Sequence, residues 1–259
     1  MPVSTDGTID LEDFRKAVSP DTLLVCAMLA NNETGVIHAI AEMAEMAHAN
    51  NALFLCDATQ AVGKIPVDVK QLNVDFLAFS AHKLYGPKGV GALYTKSGTQ
   101  KMTALIHGGG QQRNRRSGTL NVPAIVGFGK ACEIAYWEMP SDAVKIGKLR
   151  DILESELLKI EGAFVNGEAH NRLFNTTNIC FPGTASANMV LALKNIAISN
   201  GSACSAITTT PSHVLTAMGL NDENALSSIR FSLGKFNSEA EIAQAIQQMT
   251  QTVNRFSNQ

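Results

Sequence analysis

Ala52-Leu-Phe-Leu-Cys-Asp57-Ala-Thr-Gln60 runs through apolar residues and stops on a carboxylate. A run this short, bounded by polar residues, reads as a strand buried on both faces. The same pattern recurs outward from it. Residues 22–30, 74–79 and 90–95 read as further strands, and residues 37–50 carry apolar side chains at helical spacing. Short apolar strands separated by helices predict an α/β fold with a mostly parallel sheet covered on both faces. Ligands of such sheets sit beyond the carboxyl ends of the strands. Asp57 and Ser80 each follow a strand directly, so both are placed to face a site.

Beyond the sheet the pattern changes. Residues 122–137 read as a long helix, and Pro140-Ser141-Asp142 reads as a break and a cap for a second helix ending near residue 160. A domain boundary is expected there. Residues 1–140 would form a large domain and 141–259 a smaller α+β unit. In the latter, strands are expected at 175–181, 196–200 and 227–233, and helices at 187–194, 211–218 and 238–256.

Composition narrows the function. The chain has 259 residues, of which 45% are hydrophobic, and a net charge of −2, which excludes a disordered chain. There is no basic surplus to neutralise phosphates, so direct nucleic-acid binding is not expected. The longest apolar run, Leu23 to Ala30, is far short of the roughly 20 residues a membrane-spanning helix needs. The first residues lack the basic and apolar regions of a signal peptide. The five cysteines are widely spaced with no C-x-x-C pair, which suits a reducing, cytoplasmic setting. Cys26, Cys56, Cys132 and Cys180 lie in apolar contexts and are expected to be core thiols. The histidines show no ligand spacing, so no metal site is expected.

The densest group of reactive residues is Asp57-Ala-Thr-Gln60, Ser80-Ala-His82-Lys83 and Gly86-Pro-Lys-Gly89-Val-Gly91. A lysine just past a buried strand is a candidate Schiff-base lysine. An aspartate ending another strand suits the pyridinium nitrogen of pyridoxal 5'-phosphate (PLP). Ser80 and His82 are placed to hold the phosphate. The glycines are not in dinucleotide order, and they precede a strand rather than open a helix.

Taken together, these motifs resemble the class V aminotransferase family of PLP enzymes. The resemblance extends to Asn31-Asn32-Glu33-Thr34-Gly35, His107-Gly-Gly-Gly110, Arg116-Ser-Gly-Thr119, Gly201-Ser-Ala-Cys204 and Ser228-Ile-Arg230. The last two motifs are similar to those of the cysteine desulfurases serving nitrogen fixation and iron–sulfur cluster assembly. The resemblance implies a PLP-dependent transferase fold of the aspartate-aminotransferase type. It implies that Lys83 bonds PLP covalently, Asp57 pairs with the ring nitrogen and Gln60 bonds the phenolic oxygen, with Asn32 near the same edge and the substrate. Ser80 and His82 would bind the phosphate, and Thr119 the phosphate of a neighbouring subunit, implying a homodimer. Arg230 would clamp the carboxylate of the substrate, L-cysteine. Cys204 would take the sulfur as a persulfide, release L-alanine and pass the sulfur to an acceptor such as an iron–sulfur scaffold protein. It could also transiently ligate a shared iron–sulfur cluster.

Pro2 to Asp10 resemble a stretch well inside a normal family member, so the chain reads as shortened at its start. A ring-stacking histidine and a threonine phosphate contact belong to the missing part. The loop after Cys204 reads Thr208-Thr-Thr-Pro where an acidic residue usually precedes the proline. One alternative is a catalytically impaired remnant acting by dimerisation or partner binding. Another is a different class V activity, against which the Gly-Ser-Ala-Cys loop argues.

Overall fold

The computed structural model describes residues 2–98, 102–167, 170–200 and 210–257. In chain order the elements are α1 (Leu11–Ala17), β1 (Leu24–Met28), α2 (Ile40–Ala49), β2 (Leu53–Asp57), β3 (Phe76–Ser80), a 3-10 turn (Ala81–Leu84) and β4 (Gly91–Thr95). There follow α3 (Gln111–Asn114), α4 (Val122–Leu157), β5 (Phe164–Val165), β6 (Thr176–Cys180) and α5 (Ser186–Ala192). The chain ends with α6 (His213–Ala217), α7 (Asp222–Leu226), β7 (Ser228–Ser232) and α8 (Glu239–Ser257).

The chain divides into two compact units. One, the sheet unit, holds Val18–Leu29 and Ile40–Met139. Its sheet has the order β1-β2-β3-β4. The first two pairings are parallel and β4 is antiparallel to β3, so the sheet is mostly, not wholly, parallel. Phe54 and Cys56 of β2 are buried, as are Met43, Ala44 and Ala47 of α2. A second cluster joins Ala81 and Leu84 to Phe128 and Ala131 of α4. Here Phe79 meets Phe128 edge-on, with ring centroids 5.2 Å apart.

The other, the carboxyl unit, holds the chain from Pro140 onward. It also takes the amino-terminal stretch through Ala17 and the segment Ala30–Ala39. The early chain is therefore not all with the sheet, as a single boundary at 140 would have it. Two backbone bridges, Ala30 to Ile37 and Val36 to Arg172, fix the short segment. An antiparallel sheet β5-β6-β7 forms the middle of this unit. Ile146, Leu149, Leu153 and Leu157 lie on one face of α4 and pack with Ile179, Ile229, Phe231 and the α8 residues Ile242, Met249 and Val253.

Three expectations are corrected. The break at Pro140 is absent, and α4 runs straight through it. Proline removes one amide and strips the carbonyl of Tyr136 of its helix partner. Tyr136 and Trp137 are exposed at that level, so water reaches the turn. Residues 196–200 form no strand. Only Ser199 pairs with Arg230, because the Ile196 amide instead bonds the Leu193 carbonyl at 3.2 Å. Cys26 is exposed rather than in the core, because β1 is an edge strand.

A buried ion pair joins the two halves of the carboxyl unit's fold. Arg172, whose side chain is 3% exposed, places Nη2 at 2.6 and 2.5 Å from the two oxygens of Glu154. The Thr177 hydroxyl adds a bond to the same carboxylate at 2.5 Å. Removing one member of such a pair strands the other charge. Glu154→Gln should lower the unfolding free energy by about 3 kcal/mol in a denaturant titration. Glu154→Gln combined with Arg172→Met should recover part of that loss.

Candidate active site

The carboxyl ends of β2 and β3 carry the first group of residues. Asp57 ends β2, and its Oδ1 accepts the Thr59 amide at 2.9 Å. The amides of Ala61 and Val62 then bond the Ala58 carbonyl at 3.0 Å. This tight turn carries Gln60. Ser80 ends β3 and leads directly into the 3-10 turn. Ala81 and Leu84 of that turn point into the core, which leaves His82 and Lys83 exposed between them. Gly86 leaves little room for a side chain, since a Cβ there would stand 3.0 Å from the Ala81 carbonyl and 3.1 Å from Ala131 Cβ. Thr119 is exposed, after a loop in which Arg115 donates to the Thr95 hydroxyl.

Lys64 belongs to the same group. It follows Gln60 by one helical turn, and its Nζ donates to the Gln60 carbonyl at 2.8 Å. Burial first, and the Lys83 charge second, pull its ammonium down to about 8. Two lysines therefore share one neighbourhood at the sheet's carboxyl edge. Sequence reading missed Lys64. The signal available was its position, four residues after Gln60 and next to Gly63.

The second group lies within the carboxyl unit. Asn31 Oδ1 accepts the amides of Glu33 at 2.8 Å and Thr34 at 3.0 Å, closing a turn. That turn presents the Asn32 carbonyl to Arg230, whose Nη1 donates to it at 3.0 Å. Arg230 sits in the middle of β7, paired with Asn178 on one side and bridged to Ser199 on the other. Burial lowers the pKa of its guanidinium, and the Glu33 charge opposes that shift. Glu33 is the second residue missed as an individual, although its motif was recognised. It is 1% exposed and accepts the Ser212 hydroxyl at 2.6 Å.

Asn32 and Arg230 are thus brought into contact. Asp57, Gln60, Ser80, His82, Lys83 and Thr119 all belong to the sheet unit, where the first five lie on or just after the ends of β2 and β3. Cys204 lies outside the described residues. No cluster that could hold a metal ion is found among the described residues.

Comparisons with known proteins identify the family. The aminotransferase class-V family pattern matches residues 1–245. Cysteine desulfurase IscS of Haemophilus influenzae is 47% identical over 251 residues, which cover 96% of this chain and 62% of that protein. A solved NifS-like protein superposes with a TM-score of 0.89 at 38% identity, covering 98% of this chain and 67% of its own. A structure described as SspA in complex with cysteine gives a TM-score of 0.77 at 34% identity, covering 92% and 66%. The chain spans about three-fifths of the curated relatives it matches. From the family match over nearly its whole length and the superposition on the NifS-like protein, the chain belongs to the class-V aminotransferase family, within which it is similar to cysteine desulfurases.

Proposed function

We propose that this chain carries the catalytic residues of a PLP-dependent cysteine desulfurase. The observation that carries the reading is the grouping at the ends of β2 and β3. A carboxylate, a hydroxyl, an imidazole and a lysine with a second lysine beside it follow two adjacent parallel strands. This donor set fits PLP, which combines a ring nitrogen, a phosphate and an aldehyde that takes an amine. When bound, PLP supplies an electron sink for the bonds at the amino acid's α-carbon.

The residues then divide the work. Lys83 Nζ is exposed on a turn held from below, so it can reach a cofactor without moving the backbone. Asp57 would face the ring nitrogen and Gln60 the phenolic oxygen. Ser80 and His82 would take the phosphate, joined by Thr119 of a second copy. Lys64 loses its charge near pH 8, so its Nζ can hold or release a proton beside Lys83. Arg230, fixed by the Asn32 carbonyl, would hold the substrate carboxylate in a two-pronged contact. A homodimer is supported by Val122, Ile125 and Val126, exposed apolar residues on one face of α4 just after Thr119.

Sulfur transfer would fall to the thiolate of Cys204. It attacks the sulfur of L-cysteine, forms an S–S bond, and leaves with a persulfide as the C–S bond breaks. The carbon takes up a proton and departs as L-alanine, so no external oxidant is needed. Handing the sulfur to an acceptor such as an iron–sulfur scaffold protein in the cytoplasm would complete the cycle. No helix among the described residues is long and apolar enough to cross a membrane. The bound cysteine described for the SspA structure supports the choice of substrate.

Two measurements test this. The near-visible absorbance of the chain with PLP should show a band that is absent in Lys83→Ala and that changes on adding L-cysteine. Cys204→Ser should keep the band and lose sulfur transfer. Absence of any lysine-dependent band would favour the alternative, a remnant acting through dimerisation or partner binding.

Lys64 gives a pH-dependent prediction. Its pKa falls from an ordinary 10.5 to about 8, so the folded chain binds fewer protons than the unfolded chain between those values. Stability therefore rises with pH across that window, and the ammonium is destabilising below it. Relative to Lys64→Met, the wild-type unfolding free energy should climb by about 1–3 kcal/mol between roughly pH 7 and pH 10. A flat difference would show that Lys64 keeps its charge.

A further inference from the structure

Asn178 is a fully buried amide in the middle of β6, and the proposed chemistry gives it no task. Its neighbour Ile179 and the paired Ile229 face the core of the carboxyl unit. Strand alternation turns Asn178 to the opposite face, and register places Arg230 directly beside it. The two side chains reach consecutive carbonyls of one turn. Arg230 Nη1 donates to the Asn32 carbonyl at 3.0 Å, and Asn178 Nδ2 donates to the Glu33 carbonyl at 3.3 Å. Asn31 Oδ1 closes the same turn from within by accepting the Glu33 and Thr34 amides at 2.8 and 3.0 Å.

Asn178 is itself held. Its Oδ1 accepts from Asn166 Nδ2 at 2.8 Å, and its carbonyl accepts the Asn166 backbone amide at 2.8 Å. The same Asn166 Nδ2 donates to Ser228 Oγ at 2.9 Å, and that hydroxyl donates to the Asn224 carbonyl at 2.7 Å. Asn166 Oδ1 is buried with no partner among the described residues. An orphaned acceptor is costly, and the two donated bonds are what offset it. Asn166, just past β5, thus ties β6 to β7 on the face that carries Arg230. All of these residues lie in the carboxyl unit.

We propose that Asn178, braced by Asn166, is a positioning residue that sets the angle of Arg230 and with it the chain's preference for ligands bearing an α-carboxylate. This rests on the desulfurase reading, in which Arg230 meets the carboxylate of an amino acid. A two-pronged contact depends on the plane of the guanidinium as well as on its charge. The Asn32 carbonyl holds that plane at Nη1, and the Asn178 amide holds the next carbonyl of the same turn. Asn178→Thr suits a strand but is too short to donate to the turn. It does not strand Arg230. It lets the turn shift and the guanidinium rotate, so the charge stays and the aim is lost.

The first readout is independent of the cofactor. Hydrogen exchange in the PLP-free chain reads the Glu33 and Thr34 amides, which the turn protects. Asn178→Thr should speed their exchange roughly tenfold, while the Ile179 and Ile229 amides keep their protection. Equal loss at all four amides, or no loss at any, would overturn the bracing. The second readout is an absorbance titration of the PLP-loaded chain with L-alanine and with ethylamine, which is L-alanine without its carboxylate. Asn178→Thr should raise the apparent Kd for L-alanine roughly three- to tenfold, as expected for loss of one hydrogen bond, and leave that for ethylamine unchanged. In an Arg230→Met background the same change should alter neither. Asn166→Ser should act in the same direction but more weakly, and it decides the matter if Asn178→Thr does not fold. An unchanged Kd for L-alanine, an equal weakening of both ligands, or a further loss in the Arg230→Met background would overturn the proposal. A chain that takes no PLP defeats the functional reading, while hydrogen exchange still decides whether Asn178 holds the turn.

Discussion

Ala81 and Leu84 plug the 3-10 turn into the core against Phe128 and Ala131, and the sheet unit's chemistry depends on that contact. Two small apolar anchors three residues apart leave the residues between them no choice but to face outward. Those residues are His82 and Lys83. Strand β3 brings Ser80 to the same edge, and β2 brings Asp57 beside it. The spacing of the motif is thus a packing requirement. A lysine in a longer, looser loop would carry the same charge but would have to be ordered on binding, at a cost in conformational entropy.

The glycines that follow have the same origin. Gly91 pairs with Ser80 across the antiparallel β3–β4 ladder, and a Cβ there would stand 2.7 Å from the Phe79 carbonyl. Gly86 makes room for the Ala81 carbonyl. Gly89 differs: it has open space around it and a φ of +81°, so it serves the turn, while Gly86 and Gly91 bring chain close to backbone. The reactive turn is clamped between β3 and the helix that packs behind it.

Most of this was legible in the sequence because the strands are short, apolar and terminated by a polar residue. Asp57 and Ser80 were placed by strand ends alone. What was not legible arose from tertiary packing. Pro140 looks like a helix break locally, yet α4 continues because Ile146, Leu149, Leu153 and Leu157 have a core to bury in. Residues 196–200 look like a strand, yet only Ser199 meets β7. Cys26 looks buried because its neighbours are apolar, but an edge strand exposes such residues. Lys64 offered only its spacing from Gln60, and Glu33 only its motif. Their importance comes from the Gln60 carbonyl, Ser212 and Arg230, which folding brings to them.

The thiols illustrate how environment selects chemistry. Burial, aided by the Asp57 charge, pushes the Cys56 thiol up to about 12, and burial pushes Cys180 up to about 11. Burial also raises Cys132. A persulfide carrier must be a thiolate in the site, and these three are held protonated at neutral pH. Cys26 is exposed, but it is paired with Leu55 in the β1–β2 ladder, and a strand residue cannot carry sulfur away from where it was loaded. Cys204 remains, in the stretch Gly201-Ser-Ala-Cys-Ser-Ala-Ile-Thr-Thr-Thr-Pro211. The burial of its counterparts is thus what sets Cys204 apart under the proposed function.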